Sequence, residues 1–75
     1  MPRLPVLSAR EVVRAFERLG LEVARHPRTH VILTKPGHLA SLSVPNHAEV
    51  ARGTLRALIT KAAITVEQFV GALDK

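Results

Sequence analysis

The sequence predicts an α+β domain of order α-β-β-β-α(-α), a three-stranded antiparallel sheet with helices on one face. Three observations predict it. Two capping-box patterns, Ser8-Ala9-Arg10-Glu11 and Thr65-Val66-Glu67-Gln68, each lead into apolar residues at helical spacing. After Gly20 the apolar period falls from about 3.6 to two, over three short runs separated by turn residues. The chain has 75 residues, 47% of them apolar, which makes residues 1–75 a single domain near the lower size limit for one core.

Taken in order, residues 1–7 are expected to form a flexible N-terminal segment. In the first helix the Ser8 hydroxyl can accept from the Glu11 amide while the Glu11 carboxylate reaches back. Val12, Phe16 and Leu19, with Val13 beside them, form its apolar stripe, and Gly20 supplies the left-handed position that ends such a helix. Arg10, Arg14 and Arg18 lie one turn apart on the opposite face. Two readings of that stripe stand: a solvated face, or a ridge that contacts phosphates. Leu21, Val23 and Arg25 then alternate with Glu22, Ala24 and His26 until Pro27-Arg28 breaks the run. Residues 29–34 are rich in β-branched side chains and predict the second strand. Lys35-Pro36-Gly37-His38 is turn chemistry, and residues 39–44 predict the third strand, stopped by Pro45-Asn46-His47. Leu55, Leu58, Ile59 and Ala62 share one face of a helix beginning near Gly53-Thr54, and Phe69, Val70 and Leu73 follow the second capping box.

Composition removes several classes of function. Without cysteine there are no disulfides, zinc knuckles or thiol nucleophiles. With Phe16 and Phe69 as the only aromatics, stacking bases on an aromatic platform is not the expected binding mode. No apolar run approaches the roughly 18–20 residues that span a bilayer, and Met1-Pro2-Arg3-Leu4-Pro5 lacks the apolar core of a signal peptide. A cytoplasmic location is expected. Net charge is +5, and its distribution is uneven. From Val23 to Ala62 the cations Arg25, Arg28, Lys35, Arg52, Arg56 and Lys61 face one acid, Glu49, while the flanking segments balance. The excess charge is therefore central, and it favours nucleic acid or an acidic protein as partner.

Strand parity selects a histidine. Side chains alternate faces along a strand. In the third strand Ala40, Leu42 and Val44 form the apolar set, with Ser41, Ser43 and Leu39 on the other side. In the second, Val31 and Leu33 belong to the core, leaving His30, Ile32 and Thr34 on an open face near Ser41 and Ser43. Because Ile32 is as apolar as Leu33, swapped faces would instead bury His30 beneath the helices. His26, His38 and His47 fall in turns or beside prolines and read as structural or solvent-exposed. No histidine pair has ligand spacing backed by a third residue, so no metal site is expected. Arg52 and Arg56 flank the Gly53-Thr54 helix start, where free N–H groups and the helix dipole favour phosphate. They serve equally as a solvated coat for that helix.

The helix-Gly start, the His30-Val31-Ile32-Leu33 strand and Ser43-Val44-Pro45-Asn46-His47 resemble the HicA toxins, small bacterial mRNA interferases. So do Gly53-Thr54-Leu55-Arg56-Ala57-Leu58-Ile59 and Ile64-Thr65-Val66-Glu67-Gln68-Phe69. This resemblance runs from about Ser8 to Leu73. It implies a double-stranded-RNA-binding-domain-like fold, cleavage of mRNA with no metal or other cofactor, and silencing by a HicB-type antitoxin. The family's active histidine sits in a Gly-Ser-His motif opening the second strand. On that motif His30 falls on the histidine, Thr29 on the serine and Arg28 on the glycine. The implied scheme has His30 as the catalytic residue, handling the proton, with Arg28, Thr29, Arg52 and Arg56 contacting phosphate or RNA. Thr29 keeps the serine hydroxyl. Arg28 departs further from glycine: it could replace a backbone phosphate contact with a guanidinium fork, or obstruct the RNA and leave an inactive HicA relative. A non-catalytic RNA-binding module of the same fold is the alternative. Docking of an acidic antitoxin, with Ile32 and Leu39 as apolar anchors, is compatible with either.

Overall fold

A computed structural model describes residues 4–25, 29–37 and 41–73. Helix α1 (Ala9–Arg18) is followed by strands β1 (Glu22–Arg25), β2 (His30–Thr34) and β3 (Ser41–Pro45), then by helices α2 (Arg52–Lys61) and α3 (Val66–Leu73). The strands form an antiparallel meander in the order β1-β2-β3. Helices α1 and α2 pack against the sheet and α3 packs on both of them, giving the two-layer α+β architecture of the double-stranded-RNA-binding-domain-like class.

Local chemistry sets the helix ends. At the start of α1 the Ser8 hydroxyl accepts from the Glu11 amide at 3.2 Å, and the Glu11 carboxylate accepts from the Ser8 amide at 3.1 Å. At its end the Gly20 amide donates to the Glu17 carbonyl and the Leu21 amide to the Phe16 carbonyl. Those two bonds close the last turn around a residue of positive φ, and Gly20 adopts +99°. Helix α2 ends with the same pair of bonds, Ala63 to Thr60 and Ile64 to Ile59. Here the positive-φ residue is Ala63, at 59°, where a Cβ is disfavoured. The second capping box forms too: the Gln68 amide donates to the Thr65 hydroxyl and the Thr65 amide to the Gln68 side chain. Helix α2 begins at Arg52, slightly before the expected Gly53-Thr54, and its N-cap Ala51 offers no side-chain bond.

The core lies between the sheet and the helices. Phe16 and Phe69 meet at 5.1 Å between ring centroids, tilted by 58°, and both are fully buried. Val12, Leu33, Val44, Leu55 and Val50 complete its most buried part; full burial of each such side chain stabilises by roughly 1.5–3 kcal/mol. In β2 and β3 the parity is as expected: Val31, Leu33, Leu42 and Val44 are buried, whereas His30, Ser41 and Ser43 are exposed. Leu39 and Ala40, the expected start of the third strand, lie outside the described residues.

Two features depart from the sequence reading. Leu4 and Leu7, within the segment expected to be flexible, are core residues at 2% and 6% exposure. Leu7 forms a β-bridge with Val50, whose amide donates to the Leu7 carbonyl at 2.7 Å. The Arg52 Nε donates to the Leu4 carbonyl at 2.8 Å. The second departure is in β1, where a bulge between Val23 and Arg25 breaks the simple alternation. Val23 pairs with Leu33, but Arg25 pairs with Ile32. The extra residue moves Arg25 out of phase with Leu21 and Val23 and into the open-face row.

Candidate functional site

The open face of the sheet consists of three cross-strand rows. His30 lies opposite Pro45; Arg25, Ile32 and Ser43 form the next row; Glu22, Thr34 and Ser41 form the third. Rows on one face repeat every second residue, about 6.6 Å apart. Ser43 is thus a diagonal neighbour of His30, while Ser41 sits two rows away, roughly 13 Å along the strand. The expectation that both serines flank the histidine holds only for Ser43.

His30 opens β2 and is exposed, its orientation fixed by the burial of Val31 next to it. Its Nδ1 lies 2.9 Å from the Thr29 hydroxyl. Thr29 is itself held, because its carbonyl accepts from the Asn46 amide at 2.9 Å. The Pro45-Asn46-His47 turn is anchored a second time where the His47 carbonyl accepts from the Ala9 amide at 3.0 Å. The segment from Ser43 to His47 therefore frames the histidine: it supplies the pairing strand, the clamp on Thr29 and a tie to the start of α1.

Of the five predicted site residues, the structure brings Thr29 and His30 together. Arg28 lies outside the described residues, as do His26 and His38. Arg52 and Arg56 are exposed on α2, in the helical layer, and neither shares a hydrogen bond with Thr29 or His30. The Arg52 Nε is engaged by the Leu4 carbonyl, so this side chain also fastens the N-terminal segment. Sequence reading missed Arg25. Pairing with Ile32 makes it a diagonal neighbour of His30, about 7–8 Å away in regular sheet geometry. A signal existed: strict alternation would put an arginine in phase with Leu21 and Val23, a conflict that a bulge removes. Of the two expected apolar anchors, Ile32 is half-buried on this face, and Leu39 lies outside the described residues. Among the described residues no three His, Cys, Asp or Glu side chains are placed to share a metal ion, and no helix is long and apolar enough to cross a membrane.

An α-β-β-β-α-α chain with one sheet face under helices and the other open, carrying a histidine at the start of its central strand, defines a double-stranded-RNA-binding-domain-like protein with a polar open face. Comparison with known families narrows this class. The family model described as the HicA toxin of bacterial toxin-antitoxin systems matches residues 9–64, from the first residue of α1 to just past α2. The chain belongs to the HicA toxin family, whose members act opposite an antitoxin. No curated protein and no solved structure matches it significantly.

Proposed function

We propose that the protein is a metal-independent endoribonuclease, an mRNA interferase acting in the cytoplasm, in which His30 moves the proton and a HicB-type antitoxin covers the site. The observation that carries this reading is the exposed His30 with Nδ1 against the Thr29 hydroxyl. With Nδ1–H donating to Thr29 Oγ1, the neutral ring keeps its lone pair on Nε2. Nε2 takes the proton of an RNA 2′-hydroxyl, and the freed oxygen attacks the adjacent phosphorus. The bond to the 5′-oxygen breaks, leaving a 2′,3′-cyclic phosphate, and the imidazolium returns its proton to the departing oxygen. Thr29 acts through His30, by fixing the ring's tautomer and direction. Arg25, diagonal to His30, and Arg28, at the position of the family's glycine, supply cationic charge for the phosphorane. Arg52 and Arg56 extend the basic surface as outer phosphate contacts.

The purified protein is expected to cut single-stranded RNA in excess EDTA, leaving cyclic-phosphate ends detectable by mass spectrometry. His30→Ala should lose about 10²–10⁴-fold in rate while keeping its circular dichroism spectrum. Cleavage that survives this substitution removes His30 from the mechanism; cleavage that requires Mg²⁺ removes the metal-free scheme. Arg28, standing where the family has glycine, favours a second reading as a non-catalytic RNA-binding module or inactive relative. That reading requires salt-sensitive RNA binding with no cleavage under any condition.

A further inference from the structure

Away from the open face, a groove of about 480 Å³ runs between α1 and the start of β2, lined by Arg10, Val13, Arg14, Glu17 and Val31. Its volume lies within the roughly 300–1,000 Å³ of ordinary ligand sites. Arg10 and Arg14 are exposed and one helical turn apart, and among the described residues neither has an ion pair or hydrogen bond. The third arginine of the stripe differs, since Arg18 donates to the Ala72 carbonyl at 2.8 Å. Among the described residues no acid forms an ion pair with either arginine: Glu11 is occupied by the capping box with Ser8, and Glu17, which also lines the groove one turn on from Arg14, forms none. Two like charges at i and i+4 repel, so the pair does not stabilise the helix and is relieved by an anion. Val31, in the floor, is the residue after His30 in the same strand. The groove and the imidazole thus lie on the two sides of one strand start.

We propose that this groove is a second phosphate-binding site, which holds the backbone of a single-stranded RNA at a nucleotide removed from the one cut at His30. The inference rests on the endoribonuclease reading and adds where the substrate is gripped. The guanidinium groups of Arg10 and Arg14 take non-bridging phosphate oxygens as forks. Val13 and Val31 offer no hydrogen bond to a base edge, which leaves the Glu17 carboxylate as the one acceptor among the described lining side chains, so the grip reads little sequence. It contributes to RNA affinity and leaves the chemical step alone.

Binding is measured on the full chain in a His30→Ala background, using a labelled single-stranded RNA oligonucleotide and fluorescence anisotropy across a salt series. Adding Arg10→Ala and Arg14→Ala should weaken binding about 10-fold, and the slope of log affinity against log salt should flatten by about 0.7 per arginine. Replacing both by lysine should keep most of the slope, which separates lost charge from lost packing. In the His30-containing protein, cleavage of a dinucleoside monophosphate, too short to reach the groove, should be unchanged by the alanine pair. Unaltered affinity and slope overturn the groove site, as does an equal loss of dinucleotide cleavage or weakened binding of an acidic protein partner alone. If the unsubstituted protein cuts neither RNA, the nuclease reading fails by itself and the binding series still decides the groove.

Discussion

The two faces of the sheet are built from alternate residues of the same strands, yet they answer to different demands. On the helical face Val31, Leu33, Leu42 and Val44 are buried in the core, and among the described residues that core contains no buried polar side chain. On the open face His30, Ser41, Ser43 and Arg25 remain exposed. One face sets stability and the other is free to carry chemistry. Proteins commonly keep function on positions that packing does not constrain, and here the division runs residue by residue along each strand.

Substitutions can break or sharpen that contrast. The largest stability effect belongs to the helical side: Phe16→Ala removes the ring packed on Phe69 and should cost about 3–5 kcal/mol in denaturant-induced unfolding, enough to unfold much of a domain this small. His30→Ala is the mirror case, with cleavage nearly abolished and stability changed by less than about 0.5 kcal/mol. A large destabilisation there would mean that the histidine is structural. Thr29→Val keeps the shape of the side chain but removes the bond to Nδ1. It should slow cleavage about 5–10-fold, the worth of one hydrogen bond, with Thr29→Ser retaining the rate. The smallest effect is stabilising. Ala63→Gly relieves a positive-φ alanine at the end of α2 and should raise stability by about 0.5–1 kcal/mol with RNA cleavage unaltered.

Features encoded within a few residues were legible in the sequence. Ser8 with Glu11 and Thr65 with Gln68 cap their helices as read, since both partners of each bond lie three residues apart. Parity in β2 and β3 was legible because alternation needs no partner. Features that depend on distant chain were not. The bulge that moves Arg25 beside Ile32 is a property of pairing between two strands. The burial of Leu4 and Leu7 depends on Val50 and Arg52, more than forty residues away, and no local pattern announces it. For the same reason Arg52 could be read as a phosphate ligand without its bond to the Leu4 carbonyl being visible.

The meeting of Phe16 and Phe69 bears on how the chain can be divided. The family match stops at Ile64, before α3 begins at Val66. A fragment cut there would keep His30, Thr29 and every strand, but Phe16 would lose its ring partner and α1 the helix that covers it. Contacts between the two ends of a chain reward folding only after a long loop has closed. Leu7 with Val50 and Phe16 with Phe69 are both of this kind. The matched segment is therefore shorter than the set of elements that share one core. Any minimal version of this protein must retain α3, although α3 contributes no residue to the site.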